Sequence, residues 1–172
     1  MFKLIGATLI IGASTIAGFQ IARNYHERTK QLRILQQALQ MLETEIVYGA
    51  VPLHLAMEHI GQRITNVVKT FFLEMSENLK MLDGASTYEC WRLSIEKHYQ
   101  KTALKTQDKA ILIQFGHTLG ISDREDQMKH IRLTMQNLAT EEQLARDEQK
   151  INEKLSKNLG VLLGILIVIL MY

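Results

Sequence analysis

Proline is almost missing from this chain. Only Pro52 stands among 172 residues, with ten glycines, so little in the sequence interrupts a helix and long helices are expected. Cysteine is nearly missing too. A lone Cys90 excludes an internal disulfide framework and is compatible with a reducing compartment. No GxxxxGK[ST], HExxH, GxSxG or CxxC occurs, so the phosphate-loop, zinc-protease, nucleophile-elbow and dithiol chemistries have no signature here. There is no period-two stretch that reads as a strand and no internal repeat. Charge, finally, is absent from both ends: Leu4 to Ile21 and Leu159 to Tyr172 carry none.

All 18 acidic residues lie between Ala22 and Asn158, together with every Lys and Arg except Lys3. Nineteen basic against 18 acidic groups in that stretch is close to neutral, which gives no reason to expect nucleic acid or an acidic substrate. The layout predicts three parts: a transmembrane helix at 1–22, a cytoplasmic helical domain at 23–157, and a hydrophobic transmembrane helix at 158–172. The first has the roughly 20 apolar residues needed to cross a hydrocarbon core. Its small residues Gly6, Gly12, Ala13, Ala17 and Gly18 recur at spacings that let helices approach closely in lipid. A cleaved secretory signal is the alternative, with Thr15 and Ala17 at a permissive site. A single Lys before the segment and a helical continuation after it speak against that. The second segment is shorter, about 21–27 Å at 1.5 Å per residue, and carries the pair Gly160 and Gly164. Its alternative is a tail buried in a soluble core or lying in the interface.

Positive charge flanks both segments on the domain side: Arg23, Arg28, Lys30 and Arg33 after the first, Lys150, Lys154 and Lys157 before the second. The positive-inside rule then puts the domain in the cytoplasm and both termini outside.

Between the ends, Leu32, Leu35, Leu39, Leu42 and Ile46 step by three and four, a helical seam that stops at Gly49 and Pro52. A short helix from Leu53 is expected to end at Gly61. A third carries Ile64, Val67, Val68, Phe71, Phe72, Met75 and Leu79, and stops before Asp83-Gly84. Ser86 and Glu89 form a capping box for a fourth, with Trp91, Ile95 and Tyr99 inward. A fifth begins near Thr106 and is expected to end at Gly120. Ser122 and Glu125 form a second capping box for a last helix showing Met128, Ile131, Met135 and Leu138. That helix has no proline or glycine before Asn158 and can run into the membrane. The fold class expected is all-α: an antiparallel helical bundle whose first and last helices extend into transmembrane segments.

Chemistry-bearing side chains are scattered. His54 and Glu58 lie one turn apart, the spacing of a surface ion pair. His117 and His130 flank the second capping box. Cys90 beside Trp91 reads as a small core residue. Glu43 and Glu45 fall on different helix faces, poor geometry for a carboxylate pair. No catalytic group, cofactor site or metal site is expected. Ser122, Asp123 and Glu125 fit a helix start, whereas that role does not account for Arg124, Lys129 and His130. With Asp126 these residues form the expected partner-docking surface.

Five stretches carry a resemblance: Lys3-Leu4-Ile5-Gly6-Ala7; LETEIVYG with Pro52-Leu53; FGHTLGISDRE at 115–125 with Lys129-His130-Ile131; EE…AR at 141–146; and LGVLLGILIVIL at 159–170. In this order they make the chain resemble the stage III sporulation protein AB family of endospore-forming bacteria. The resemblance implies a part in the channel between mother cell and forespore during engulfment, at the mother-cell membrane facing the forespore. It implies as partners a secretion-type sporulation ATPase, other channel membrane proteins and membrane lipid. It also implies a domain similar to the platform protein of type II secretion systems, and hence a non-enzymatic platform or adaptor. The alternative is a passive membrane scaffold assembling through its glycine faces without ATPase contact. A lipid-handling enzyme would need a polar pocket with perturbed acids, and no motif supports one.

Overall fold

The computed structural model describes residues 2–46, 51–81, 84, 86–119 and 124–171, with Arg124, Gly160 and Gly164 placed by backbone alone. Six helices follow one another: α1 (Phe2–Thr44), α2 (Leu53–Arg63), α3 (Lys69–Met81), α4 (Thr87–Tyr99), α5 (Thr106–Gly116) and α6 (Arg124–Met171). Among the described residues there is no strand. The chain divides into two compact units, Met1–Thr29 with Gln143–Tyr172, and Lys30–Glu142. These boundaries follow packing, whereas those expected at 22/23 and 157/158 followed hydropathy.

In the Lys30–Glu142 unit the predicted seam of α1 is the core. Leu32, Leu35, Leu39 and Leu42 are fully buried with Ala38 between them, and Ile46 is half-buried. α1 ends at Thr44 and widens into a π turn at residues 45–46; residues 47–50, the rest of the LETEIVYG stretch, lie outside the described residues. Further along, α2 packs on α3, α3 on α4 and α4 on α5. Each of these contacts joins consecutive helices, as short connections favour. Pro52 caps α2, its carbonyl accepting from the N–H groups of Leu55 and Ala56 at 2.9 and 3.1 Å. Ser86 opens α4 with both halves of the predicted capping box. At α5 the buried Asp108 carboxylate accepts the Lys105 N–H at 2.7 Å. Gly84, at φ 77°, makes the left-handed turn between α3 and α4 that a side chain would strain.

Two of the expected helix ends lie elsewhere. Gly61 lies inside α2, which runs on to Arg63. A Cβ there would stand 2.6 Å from Leu73 Cδ2 and 3.2 Å from the Leu73 N, so the glycine permits the close approach of α2 and α3. Gly61→Ala should therefore destabilise the chain by about 1–2 kcal/mol through overpacking, although alanine inside a helix ordinarily gains about 1 kcal/mol. Urea unfolding checks this. Adding Leu73→Ala should make Gly61→Ala neutral or favourable, and an unchanged penalty in that background would sink the argument. Gly116 is the last residue of α5, which stops there and not at Gly120; Gly120 lies outside the described residues. Its missing side chain makes room for Trp91, whose Cδ1 would be 2.4 Å from a Cβ at 116.

The third helix starts at Lys69, so Ile64, Val67 and Val68 belong to the connection before it, where Ile64 and Val68 are nonetheless buried. On α6 the buried positions in this unit are Ile131, Thr134, Leu138 and Glu142, while Met128 and Met135 are half-buried.

In the other unit, α1 buries Gly18, Ala22, Arg28 and Thr29, and α6 buries Ala145. Among the described residues no helix is long and apolar enough to cross a membrane. The transmembrane character expected of the two ends is thus not confirmed by the structure. Much of the apolar sequence, Met1 to Ile5 and Val161 included, carries no described side chain.

Candidate functional site

Polar groups join the two long helices within each unit. In the Lys30–Glu142 unit, Arg132 Nε donates to Glu43 Oε1 at 2.6 Å and Arg33 Nε donates to Glu142 Oε1 at 3.1 Å. Moving back ten residues on α1 moves the partner forward ten on α6, which is the register of an antiparallel pair. Gln40 adds a 3.0 Å hydrogen bond to Glu43, and Gln36 one of 2.8 Å to Glu142. Both carboxylates are buried, and both arginines reach out to solvent. In the other unit Arg28 pairs with Glu148 at 3.2 Å, and His26 Nδ1 meets Gln149 Nε2 at 3.1 Å.

A buried carboxylate stripped of its cation costs more than an exposed pair. Arg132→Met should therefore lose about 2 kcal/mol. Arg33→Met should lose about 1 kcal/mol, because Gln36 still donates to Glu142. Chemical unfolding of the two variants tests the order, and equal losses would contradict it.

The expected docking residues sit at the start of α6. Arg124 is its first residue, and Glu125 and Asp126 lie in its first turn, where acidic groups complement the macrodipole. Glu125, Asp126 and Lys129 are exposed and His130 is half-buried. At 100° per residue these four share one arc of the helix, facing away from Ile131, Thr134 and Leu138. Ser122 and Asp123, with the second capping box, lie outside the described residues. His117 is not drawn toward His130: it stacks on Tyr88 with ring centroids 3.8 Å apart.

Of the expected helix-packing residues, Gly18 lies on the buried face of α1, Gly6 is half-buried, and Gly12, Ala13 and Ala17 are exposed. The four-residue spacing of Ser14 and Gly18 belongs to the packed side; that of Ala13 and Ala17 does not.

Sequence reasoning missed one cluster. Glu74 on α3 accepts from Lys97 Nζ at 2.6 Å and meets His98 Nε2 at 3.3 Å. Nothing in the spacing of 74 and 97 marks it, since α3–α4 packing creates it. The Lys97 ammonium holds the Glu74 carboxyl below the usual carboxylate range, against partial burial, and His98 adds a second hydrogen bond. Lys80 does the same for Glu58, where a pair with His54 had been expected, and the Ser86 backbone N–H does it for Glu89. These acids are depressed in the fold. Their contribution is present above the unfolded carboxylate range, near pH 4, and is lost as pH falls through the lower folded values. The melting temperature should fall as pH drops from about 5 to 3, and Glu74→Gln should flatten that limb. An identical acid limb in the variant would refute the assignment.

Cys90 is buried, its thiol pushed up by desolvation, in keeping with a core role. Among the described residues no three His, Cys, Asp or Glu side chains could hold a metal ion.

A family model described as stage III sporulation protein AB matches residues 3–172. The chain belongs to the stage III sporulation protein AB family. It is 43% identical over 172 residues to stage III sporulation protein AB of Bacillus subtilis (strain 168), covering 99% of both chains. A solved structure of a stage III sporulation protein AB superposes with a TM-score of 0.69 at 39% identity, over 73% of this chain and 98% of that one. Family membership thus ties the chain to sporulation. The stretch at 115–125 that carries the resemblance begins at the end of α5 and ends in the first turn of α6.

Proposed function

We propose that this sporulation protein is a non-enzymatic platform, held in the mother-cell membrane facing the forespore by both chain ends, that couples a cytoplasmic secretion-type ATPase to membrane channel components. The observation that carries the tether is the far end of α6, where Leu159, Leu162, Ile165, Leu166, Ile167 and Ile169 are all exposed. A helix end that presents large apolar side chains on every described side, with no charge among them, suits surroundings of lipid, not water. Flanking lysines and arginines orient it with the central helices in the cytoplasm.

ATPase contact is assigned to the arc of Glu125, Asp126, Lys129 and His130 with Arg124, Ser122 and Asp123. Charge of both signs on one exposed helix start suits a partner surface of mixed charge, which fixes register and speeds association. A fragment from Asn24 to Ser156 titrated with the sporulation ATPase in a calorimeter tests the coupling. Saturable binding at micromolar strength or better supports it. A folded fragment that does not bind overturns it.

The second reading is a passive scaffold. Gly12 has open space around it, and Ala13 and Ala17 are exposed beside it, a surface that fits a closely approaching partner helix in lipid. Assembly lost on Gly160→Leu and Gly164→Leu, with ATPase binding intact, favours both contacts in one adaptor.

A further inference from the structure

α1 opens a groove of about 480 Å³ lined by Ile16, Phe19, Gln20, Arg23, Asn24 and Glu27. That volume lies within the range of about 300–1,000 Å³ typical of small-molecule sites. Steps of three and one keep the six residues on one helix face. Along that face the chemistry changes in order. Ile16 and Phe19, 67% and 52% exposed, are apolar. Gln20, Arg23 and Asn24, all exposed, offer a guanidinium flanked by two amides. Half-buried Glu27 ends the row with a carboxylate. Arg23 and Glu27 stand four apart, the spacing at which opposite charges on a helix pair. Yet neither side chain has a hydrogen bond or ion pair with any described residue. Arg23 is also the first charge after the charge-free run from Leu4 to Ile21. A cation at that point stands where a bilayer keeps its phosphates.

We infer that this groove holds a phospholipid with an ethanolamine headgroup. An acyl chain lies along Ile16 and Phe19. The phosphate sits at Arg23, with the Gln20 and Asn24 amides donating to it, and the ammonium reaches Glu27. The order of groups on the lipid is the order of side chains on the helix. Four residues of helix rise about 6 Å, a span that the two-carbon bridge between phosphate and ammonium covers together with the side chains. Charge selects this headgroup. A lipid of net negative charge satisfies Arg23 but brings no cation to Glu27. A choline headgroup shields its cation with methyl groups and has no N–H to donate, whereas an ammonium makes charge-assisted hydrogen bonds to a carboxylate. The site rests on the membrane tether proposed above, which brings the groove to the lipid.

The test uses the full chain in vesicles of equal phosphatidylethanolamine and phosphatidylcholine, and in a second set with phosphatidylglycerol as the competitor. Alkaline carbonate washing first asks whether the chain is held. Mild detergent then extracts it, and mass spectrometry measures the lipids that stay bound. Phosphatidylethanolamine enriched at least fivefold over either competitor is the expected result. Glu27→Gln should return the ratio to that of the bilayer, and Arg23→Gln should cut total bound lipid at least fivefold. Lys30→Gln, at an exposed position outside the groove, should change neither. Bound lipid that matches the bilayer, or a preference that survives Glu27→Gln, overturns the inference. Displacement by free phosphoethanolamine overturns it too, because the ligand is then a soluble one. Release of the wild-type chain by carbonate defeats the tether and the site together, whereas a retained chain with no lipid preference defeats the site alone.

Discussion

Trp91→Ala should lower stability by about 4 kcal/mol. The indole is fully buried on α4 and meets Phe72 and Phe115 edge-on at 5.7 and 5.9 Å. Its Nε1–H donates to the Leu112 carbonyl at 2.6 Å, so removal both opens a cavity and loses a buried hydrogen bond. Gly116→Ala alone should cost about 2 kcal/mol, because a rigid ring surrounded by core cannot move aside for a Cβ. In the Trp91→Ala background the same substitution should cost almost nothing, a coupling of about 2 kcal/mol in a double-mutant cycle. Urea unfolding of the four chains gives the answer. If Gly116→Ala costs as much without the ring as with it, the close approach is not what glycine is there for.

Sporulation should fail when Arg124 and Lys129 are both changed to Glu. Reversing two cations on a docking arc should weaken ATPase binding at least tenfold, or about 1.4 kcal/mol. The fold should survive, since both positions lie in the first two turns of α6, where added acid is favoured by the helix dipole. Heat-resistant spore counts and the circular dichroism of the purified variant are read together. Wild-type counts from a folded double variant would remove this arc from the contact.

Much of this fold could be read from period alone. Leu32, Leu35, Leu39 and Leu42 announce a core seam, and the Ser86–Glu89 box announces α4, because both signals are local. Gly61 was misread, and the role of Gly116 went unseen, for the opposite reason: each glycine answers to a side chain elsewhere in the chain, Leu73 in one case and Trp91 in the other. Met135 was expected inside where Thr134 is buried, since Thr134 returns its hydroxyl to the His130 carbonyl at 2.8 Å and so tolerates the interior. Of the residues read as a docking surface, Glu125, Asp126 and Lys129 are exposed at the start of α6, as their place beside a capping box suggested. The Glu43–Arg132 and Glu142–Arg33 clamps were not, because partners 89 and 109 positions apart leave no trace in spacing.

Those same separations dictate an order of events. Contacts among α2, α3, α4 and α5 join neighbours in sequence and close small loops, which is fast and entropically light. The α6 partners of Glu43 and Arg33 emerge from the ribosome about 90 and 110 residues later, as the spans of 89 and 109 residues require. During synthesis, then, the clamps at Glu43 and Arg33 stay open while the middle of the domain takes shape, and they close only when the last helix arrives. A nascent chain halted before Leu138 would lack the buried Leu138 and Glu142 of α6, so a premature stop late in this gene should yield a degraded protein and not a shortened one.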